Sequence, residues 1–183
     1  MTRMQPHPDD EPDDRPDDRP DDRPDDRPDD RPEDSASILP AHLLIGIDHV
    51  GIAVPDLDEA LAFYRDTYGM TVLHEETNTE QGVREAMVGF DATPGGPCLQ
   101  LLAPLDESST IAKFLDRSGP GLQQLAFRVH DVEEASATLR DRGLRLLYDE
   151  PRRGTAGSRI NFVHPKDAGG VLVELVEPAI TGG

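Results

Sequence analysis

Cysteine is nearly absent: Cys98 stands alone among 183 residues, so no disulfide can form within the chain, and a reducing, cytoplasmic setting is the expectation. Tryptophan is missing and aromatics make up 4%, which leaves little with which to stack nucleic-acid bases. No apolar run approaches the ~20 residues that span a bilayer. The opening MTRMQPHPDDEPDDR lacks the apolar stretch of a secretory signal. Basic residues are scarce, with 18 Lys and Arg against 37 Asp and Glu and a net charge of -19. Duplex affinity comes mostly from neutralised phosphates, so nucleic acid is excluded as a partner. The length suits one domain, or two half-size modules sharing one core.

Residues 1–34 carry 15 acidic and 6 basic side chains, and Pro-Asp-Asp-Arg recurs five times from Pro12 to Arg31. So few apolar side chains cannot offset the entropy of ordering, and a proline every fourth residue favours extended backbone. Residues 1–40 are therefore expected to be a disordered acidic tail, and 41–179 the folded domain.

That domain is patterned. Gly46–Val54 alternates, with Val50, Ile52 and Val54 on one face and Ile47, His49, Gly51 and Ala53 on the other, which predicts a strand. After Pro55, Asp56 or Asp58 can cap a helix running through Tyr68 and closed by Gly69. Three strand-like runs follow at 71–77, 83–90 and 98–102, with turn chemistry at Thr93–Gly96. A short helix is expected around Ile111–Leu115.

Self-similarity is the informative signal. GIDHVGIAVPDLDEALAFYRDTYG resembles GLQQLAFRVHDVEEASATLRDRG at an offset of 75. Further on, Leu99-Gln100-Leu101-Leu102 matches Val173-Glu174-Leu175-Val176. The expected fold is α+β: two tandem βαβββ modules, about 46–104 and 121–178, forming a curled mixed sheet around a cleft.

The repeat also carries a chemical expectation. His49 and its mate Gln124 lie opposite the apolar faces of their strands. Gln100 and its mate Glu174 sit in otherwise apolar final strands. Buried polar groups are costly unless paired. A lone strand histidine is more often a satisfied polar residue than a ligand. Two symmetry-related pairs instead point to convergence in the cleft, where imidazole, amide oxygen and carboxylate suit a divalent metal.

The stretches DHVGIAVP, EQGVRE, LQLL, AKFL, LYDEP, GSRINF, HPK and GVLVEL together resemble the methylmalonyl-CoA epimerase family of the vicinal-oxygen-chelate superfamily, over about Ile47–Glu177. The resemblance implies a cobalt-like divalent cation, with Mn, Zn or Mg as alternatives, on ligands matching His49, Gln100 and Glu174. It also implies Glu85 as acid/base, a homodimer, and methylmalonyl-CoA or a related acyl-CoA as substrate. One departure stands out. The family has His-His where this chain has Gln123-Gln124, so the fourth ligand would be Gln124. A neutral amide oxygen in place of imidazole should weaken the site and shift it toward harder cations.

Epimerisation removes a proton between a thioester and a carboxylate, so acid/base groups are needed on both faces of a planar intermediate. Glu85 is expected on one face, since Val83, Glu85 and Met87 share a strand face. Glu174 or a bound water is the candidate for the other. Arg152, Arg153 and Arg159, around Gly154 and Gly157, form a basic loop that could receive the phosphates of the substrate. The competing readings are a catalytically weakened relative that binds a small ligand or acyl-CoA, and another metal-dependent lyase of the superfamily.

Overall fold

A computed structural model describes residues 37–90 and 96–179. The acidic repeat and most of the Thr93–Gly96 turn lie outside the described residues. The packed chain begins ahead of residue 41: Leu39 sits against the second half's core, and Leu43 is buried with its carbonyl accepting the His130 N–H. Both are apolar side chains at a sheet end, where burial removes them from water.

The first half runs β1 (Leu44–Ala53), α1 (Leu57–Tyr68), β2 (Thr71–Asn78), β3 (Val83–Gly89) and β4 (Cys98–Pro104). After α2 (Thr110–Ser118), the second half runs β5 (Gly121–Val129), α3 (Val132–Asp141), β6 (Arg152–Arg153), β7 (Arg159–Val163) and β8 (Leu172–Glu177). The eight strands form one sheet in the order β2-β3-β4-β1-β5-β8-β7-β6. Each half repeats one pattern: its first strand pairs parallel with its last, and the rest are antiparallel. β1 and β5 join the halves antiparallel.

The repeat reaches the caps. Asp56 accepts the Glu59 N–H at 2.9 Å, and its mate Asp131 accepts the Glu134 N–H at 2.8 Å, each worth ~1 kcal/mol. Helix α1 covers one face of the first half through Leu57, Ala86, Val88 and Leu101. Helix α3 covers the same face of the second half through Val132, Ala135, Leu139 and Leu175. Strand alternation then turns the intervening residues to the opposite, inner face. Short α2 closes one end of it by packing Ile111 against Ala53, Val83 and Leu102.

Candidate active site

Two neighbouring rows of the sheet build the floor of the inner face. One runs Met87–Gln100–Gly51–Gln124–Leu172, the other Cys98–His49–Ala126–Glu174–Phe162. His49 and Gln124 are repeat mates, and each faces the small mate of the other pair, Ala126 and Gly51. Space is tight: a Cβ on Gly51 would come 2.5 Å from Gln124 Cγ. Glycine at 51 is what admits the Gln124 side chain.

His49, Gln100, Gln124 and Glu174 are all buried and meet at one point. His49 Nε2 lies 3.2 Å from Glu174 Oε2 and 3.4 Å from Gln124 Nε2. Gln124 Nε2 donates to Gln100 Oε1 at 3.2 Å and to Glu174 Oε2. Those bonds use both amide hydrogens of Gln124, so the His49–Glu174 contact takes its proton from the imidazole. Behind the ring, Asp48 Oδ1 takes the Nδ1 proton at 2.8 Å, while Asp48 Oδ2 accepts from Arg128 Nε at 2.6 Å. Burial works against charge on His49, but the Asp48 and Glu174 carboxylates outweigh it and push its titration up to about 9. Burial likewise opposes charge on Asp48, yet its bonds to His49 and Arg128 hold it below the usual carboxylate range.

This donor set fits a cation. Gln100 Oε1 and Glu174 Oε2 both accept from the Gln124 amide nitrogen, whose hydrogens stand in for positive charge, and His49 Nε2 would offer its lone pair on losing its proton. A half-turn of the Gln124 amide exchanges that nitrogen for oxygen. Among the described residues, no group of three His, Cys, Asp or Glu is placed to hold a metal. The cluster reaches four donors by drawing on two amides, a composition that favours oxygen-preferring ions.

Glu85 stands beside this cluster, buried. Its Oε2 accepts from Gln100 Nε2 at 2.8 Å and its Oε1 from the Thr155 hydroxyl at 2.9 Å. Thr155 Oγ1 accepts in turn from Gln100 Nε2 at 2.8 Å. Burial, aided by the charges of Glu76 and Glu174, pushes the Glu85 carboxyl up to about 7. A carboxylate poised there can both take and return a proton near neutrality. The cleft measures about 270 Å³, with Gln100, Gln124, Thr155 and Glu174 in its lining and an apolar wall of Tyr148, Ile160 and Phe162.

The three arginines separate. Arg152 lines the cleft, stacked on Tyr148 at 4.1 Å and 3.8 Å from Glu80. Arg153 is exposed at the sheet edge. Arg159 does not join them: it reaches Glu133 and Glu177 on the α3 side. Strand alternation explains this correction, because Ile160 takes the inner face and its neighbours Arg159 and Asn161 the outer one. Several partners escaped the sequence reading. Asp48 sits within the strand motif, and Arg128 and Thr155 reach the site from the second half. Gln123 occupies an irregularity where Gly51 pairs with Gln124 and Ile52 with Leu122. That bulge turns Gln123 into the cleft lining, its buried amide oxygen without a hydrogen-bond partner among the described residues.

Residues 48–162 match the family model of the glyoxalase/bleomycin resistance protein/dioxygenase superfamily. The chain belongs to that superfamily. Within it, similarity is strong to the crystal structure of a methylmalonyl-CoA epimerase from Mycobacterium tuberculosis. Identity there is 59%, over 77% of this chain and 93% of that one, with a TM-score of 0.72. An ethylmalonyl-CoA/methylmalonyl-CoA epimerase of Cereibacter sphaeroides is 38% identical over 70% of this chain and 95% of that protein. A methylmalonyl-CoA epimerase solved with methylmalonyl-CoA and NH4+ shares 52% identity over 75% of this chain and 96% of that one, with a TM-score of 0.71.

Proposed function

We propose that this chain is an isomerase interconverting the (2R) and (2S) forms of methylmalonyl-CoA. The observation that carries the reading is Glu85: a buried carboxyl pushed up to about 7, bonded to Gln100 and Thr155, at the edge of a four-donor cluster. The similarity to methylmalonyl-CoA epimerases over most of their length supports the substrate.

Glu85 takes the α-proton as its carboxylate. The electron pair left behind delocalises into the flanking carbonyl groups, giving a planar intermediate. Gln100 and Thr155 fix both oxygens of Glu85, so the base is oriented before substrate arrives. Return of a proton to the same face restores the substrate; return to the other face inverts the centre. Glu174, across the cluster, is the candidate for that second delivery. A divalent cation, cobalt-like or Mn, Zn or Mg, would be held by His49, Gln100, Gln124 and Glu174 and would stabilise negative charge on the substrate oxygens. Apolar walls exclude water from the exposed carbanion. Arg152, in the cleft lining, would meet anionic parts of the acyl-CoA, with Arg153 beyond it at the rim.

Exposed Ile45, Ile47 and Leu122 supply apolar surface that supports a homodimer, checked by light scattering. Among the described residues no helix is long and apolar enough to cross a membrane, in keeping with a cytoplasmic location.

The test is solvent deuterium. Incubation of (2S)-methylmalonyl-CoA with the protein and added divalent cations in D2O should label the α-carbon and produce the other epimer. Glu85→Gln should suppress both. Binding without exchange under every cation would overturn the assignment and leave a ligand-binding relative.

A further inference from the structure

Glu76 and Glu85 are directly opposed on adjacent strands β2 and β3. Two carboxylates in that relation repel unless something separates them. What lies against them is a turn from the other half of the molecule. Two consecutive residues of Thr155–Gly157 serve the two acids in order: the Thr155 hydroxyl donates to Glu85 at 2.9 Å, and the Ala156 N–H donates to Glu76 Oε2 at 3.1 Å. Glu76 Oε2 also meets His74 Nε2 at 2.6 Å, on the same strand face two residues away. Burial opposes charge on Glu76, but His74 and the Ala156 N–H hold it below the ordinary carboxylate range. It is a charged acceptor, which makes the stronger kind of hydrogen bond.

The turn needs holding. Ala156 has φ 54° and ψ 28°, and among the described residues it is the one non-glycine in the left-handed region. Such a residue persists when its surroundings over-determine it. On its own side the turn is seated tightly. The Gly154 N–H reaches the Ser158 carbonyl at 2.9 Å, and a Cβ on Gly154 would lie 2.5 Å from Ile160 Cγ2. On the far side the Glu76 bond sets its height above Glu85.

We propose that Glu76 is a positioning residue: by holding the Ala156 N–H it fixes the strained turn that seats the Thr155 hydroxyl on Glu85, coupling the second half of the chain to the acid/base group of the first. The inference rests on the reading of Glu85 as that group.

The experiment uses the full chain. Steady-state epimerisation is measured for wild type, Glu76→Ala, Glu76→Gln, Thr155→Val and the double variant Glu76→Ala/Thr155→Val, alongside amide hydrogen exchange across 153–158. Glu76→Ala should lower kcat by about tenfold or more, the scale of a misplaced catalytic group, and change KM less than about twofold. Glu76→Gln keeps an oxygen for Ala156 and should recover most of kcat. With Thr155→Val already present, Glu76→Ala should cost little more, because both act through one link. Exchange at Ala156 should quicken in Glu76→Ala and not in Glu76→Gln.

A kcat for Glu76→Ala near wild type, or losses that simply multiply in the double variant, would overturn the proposal. If Glu76→Ala fails to fold, Thr155→Val reads the other end of the link, and an undiminished kcat there overturns it. A wild-type chain without turnover defeats the epimerase reading alone. Exchange at Ala156 then decides the latch, and equal rates in wild type and Glu76→Ala sink it.

Discussion

Replacing Gly51 by alanine tests the site at the point where the halves interlock. Gly51 has ordinary strand backbone, so alanine brings no conformational strain of its own. The cost is contact: the new Cβ would sit 2.5 Å from Gln124 Cγ and 3.0 Å from its Cδ. Neither distance is tolerable, and Gln124 must leave. Departure breaks its bonds to Gln100 Oε1 and Glu174 Oε2; Glu174 Oε2 keeps His49 Nε2 at 3.2 Å, but Gln100 Oε1 is stranded. Overpacking of this kind costs ~1–3 kcal/mol, and the one acceptor left unpaired adds ~1–3 kcal/mol. Urea unfolding should therefore show Gly51→Ala less stable by ~2–6 kcal/mol at unchanged m value, with epimerase activity largely lost. The clash has a single partner, so Gln124→Ala should relieve it. In the double variant the two stability losses should fall short of their sum by more than ~1 kcal/mol. Gly51→Ala within ~0.5 kcal/mol of wild type, or strictly additive losses, would refute the interlocking of Gly51 with Gln124.

The epimerisation rate at saturating substrate should fall as pH drops through about 7, because Glu85, raised chiefly by burial, must be ionised to take the proton. A pH–rate profile flat from 5 to 8 would remove Glu85 from that step. In chelator, stability should decline between pH 6.5 and about 9. The folded value of His49 lies above its free value of 6.5, so its contribution is complete below 6.5 and is lost as pH rises through about 9, a difference of ~3 kcal/mol. Urea titrations at several pH values measure this, and Asp48→Asn should flatten the slope by removing the nearer carboxylate. Leu101→Ala, at a fully buried position beneath α1, should cost ~2–5 kcal/mol by thermal or urea unfolding while leaving KM unchanged.

Much of this was legible because duplication writes every strand twice. Val50, Ile52 and Val54 mark the outer face of β1 as Leu125, Phe127 and Val129 mark that of β5, and the two polar pairs fall out on the other side. Their meeting within hydrogen-bond distance, His49 Nε2 to Glu174 Oε2 at 3.2 Å, follows from pairing β1 with β5 and each with its own final strand. What stayed hidden depends on contacts between halves that carry no period. Nothing in the sequence ties Thr155 to Glu85, 70 positions away, or Arg128 to Asp48, 80 positions away. Arg159 lies apart from Arg152 for a related reason: clustering along the chain is not clustering in space, because neighbouring strand residues point to opposite faces. The bulge at Gln123 was equally invisible, because an inserted residue shows only against its partner strand.

The duplication also sets the limit of symmetry in the chemistry. Gly51 pairs with Gln100 as its mate Ala126 pairs with Glu174. Two residues further along β4 and β8 are Leu102 and Val176, and these pair with Glu85 and Ile160. The structural mate of Glu85 is thus Ile160, a buried apolar side chain in the wall with Phe162. A reaction that inverts a carbon by using two equivalent bases would have kept a carboxyl there. With one wall carrying Glu85 and the other apolar, the proposed second proton carrier is drawn from the floor, where Glu174 replaces Gln100 in the repeat. The pseudo-twofold places the four donors, and its breaking at two positions, Gln100 against Glu174 and Glu85 against Ile160, assigns them different roles. Ile160→Val preserves the wall and should leave kcat within about twofold of wild type in both directions. Glu174→Gln should halt inversion and abolish exchange from the epimer whose proton faces Glu174, while Glu85 still exchanges the other; inversion that survives would return the second role to water.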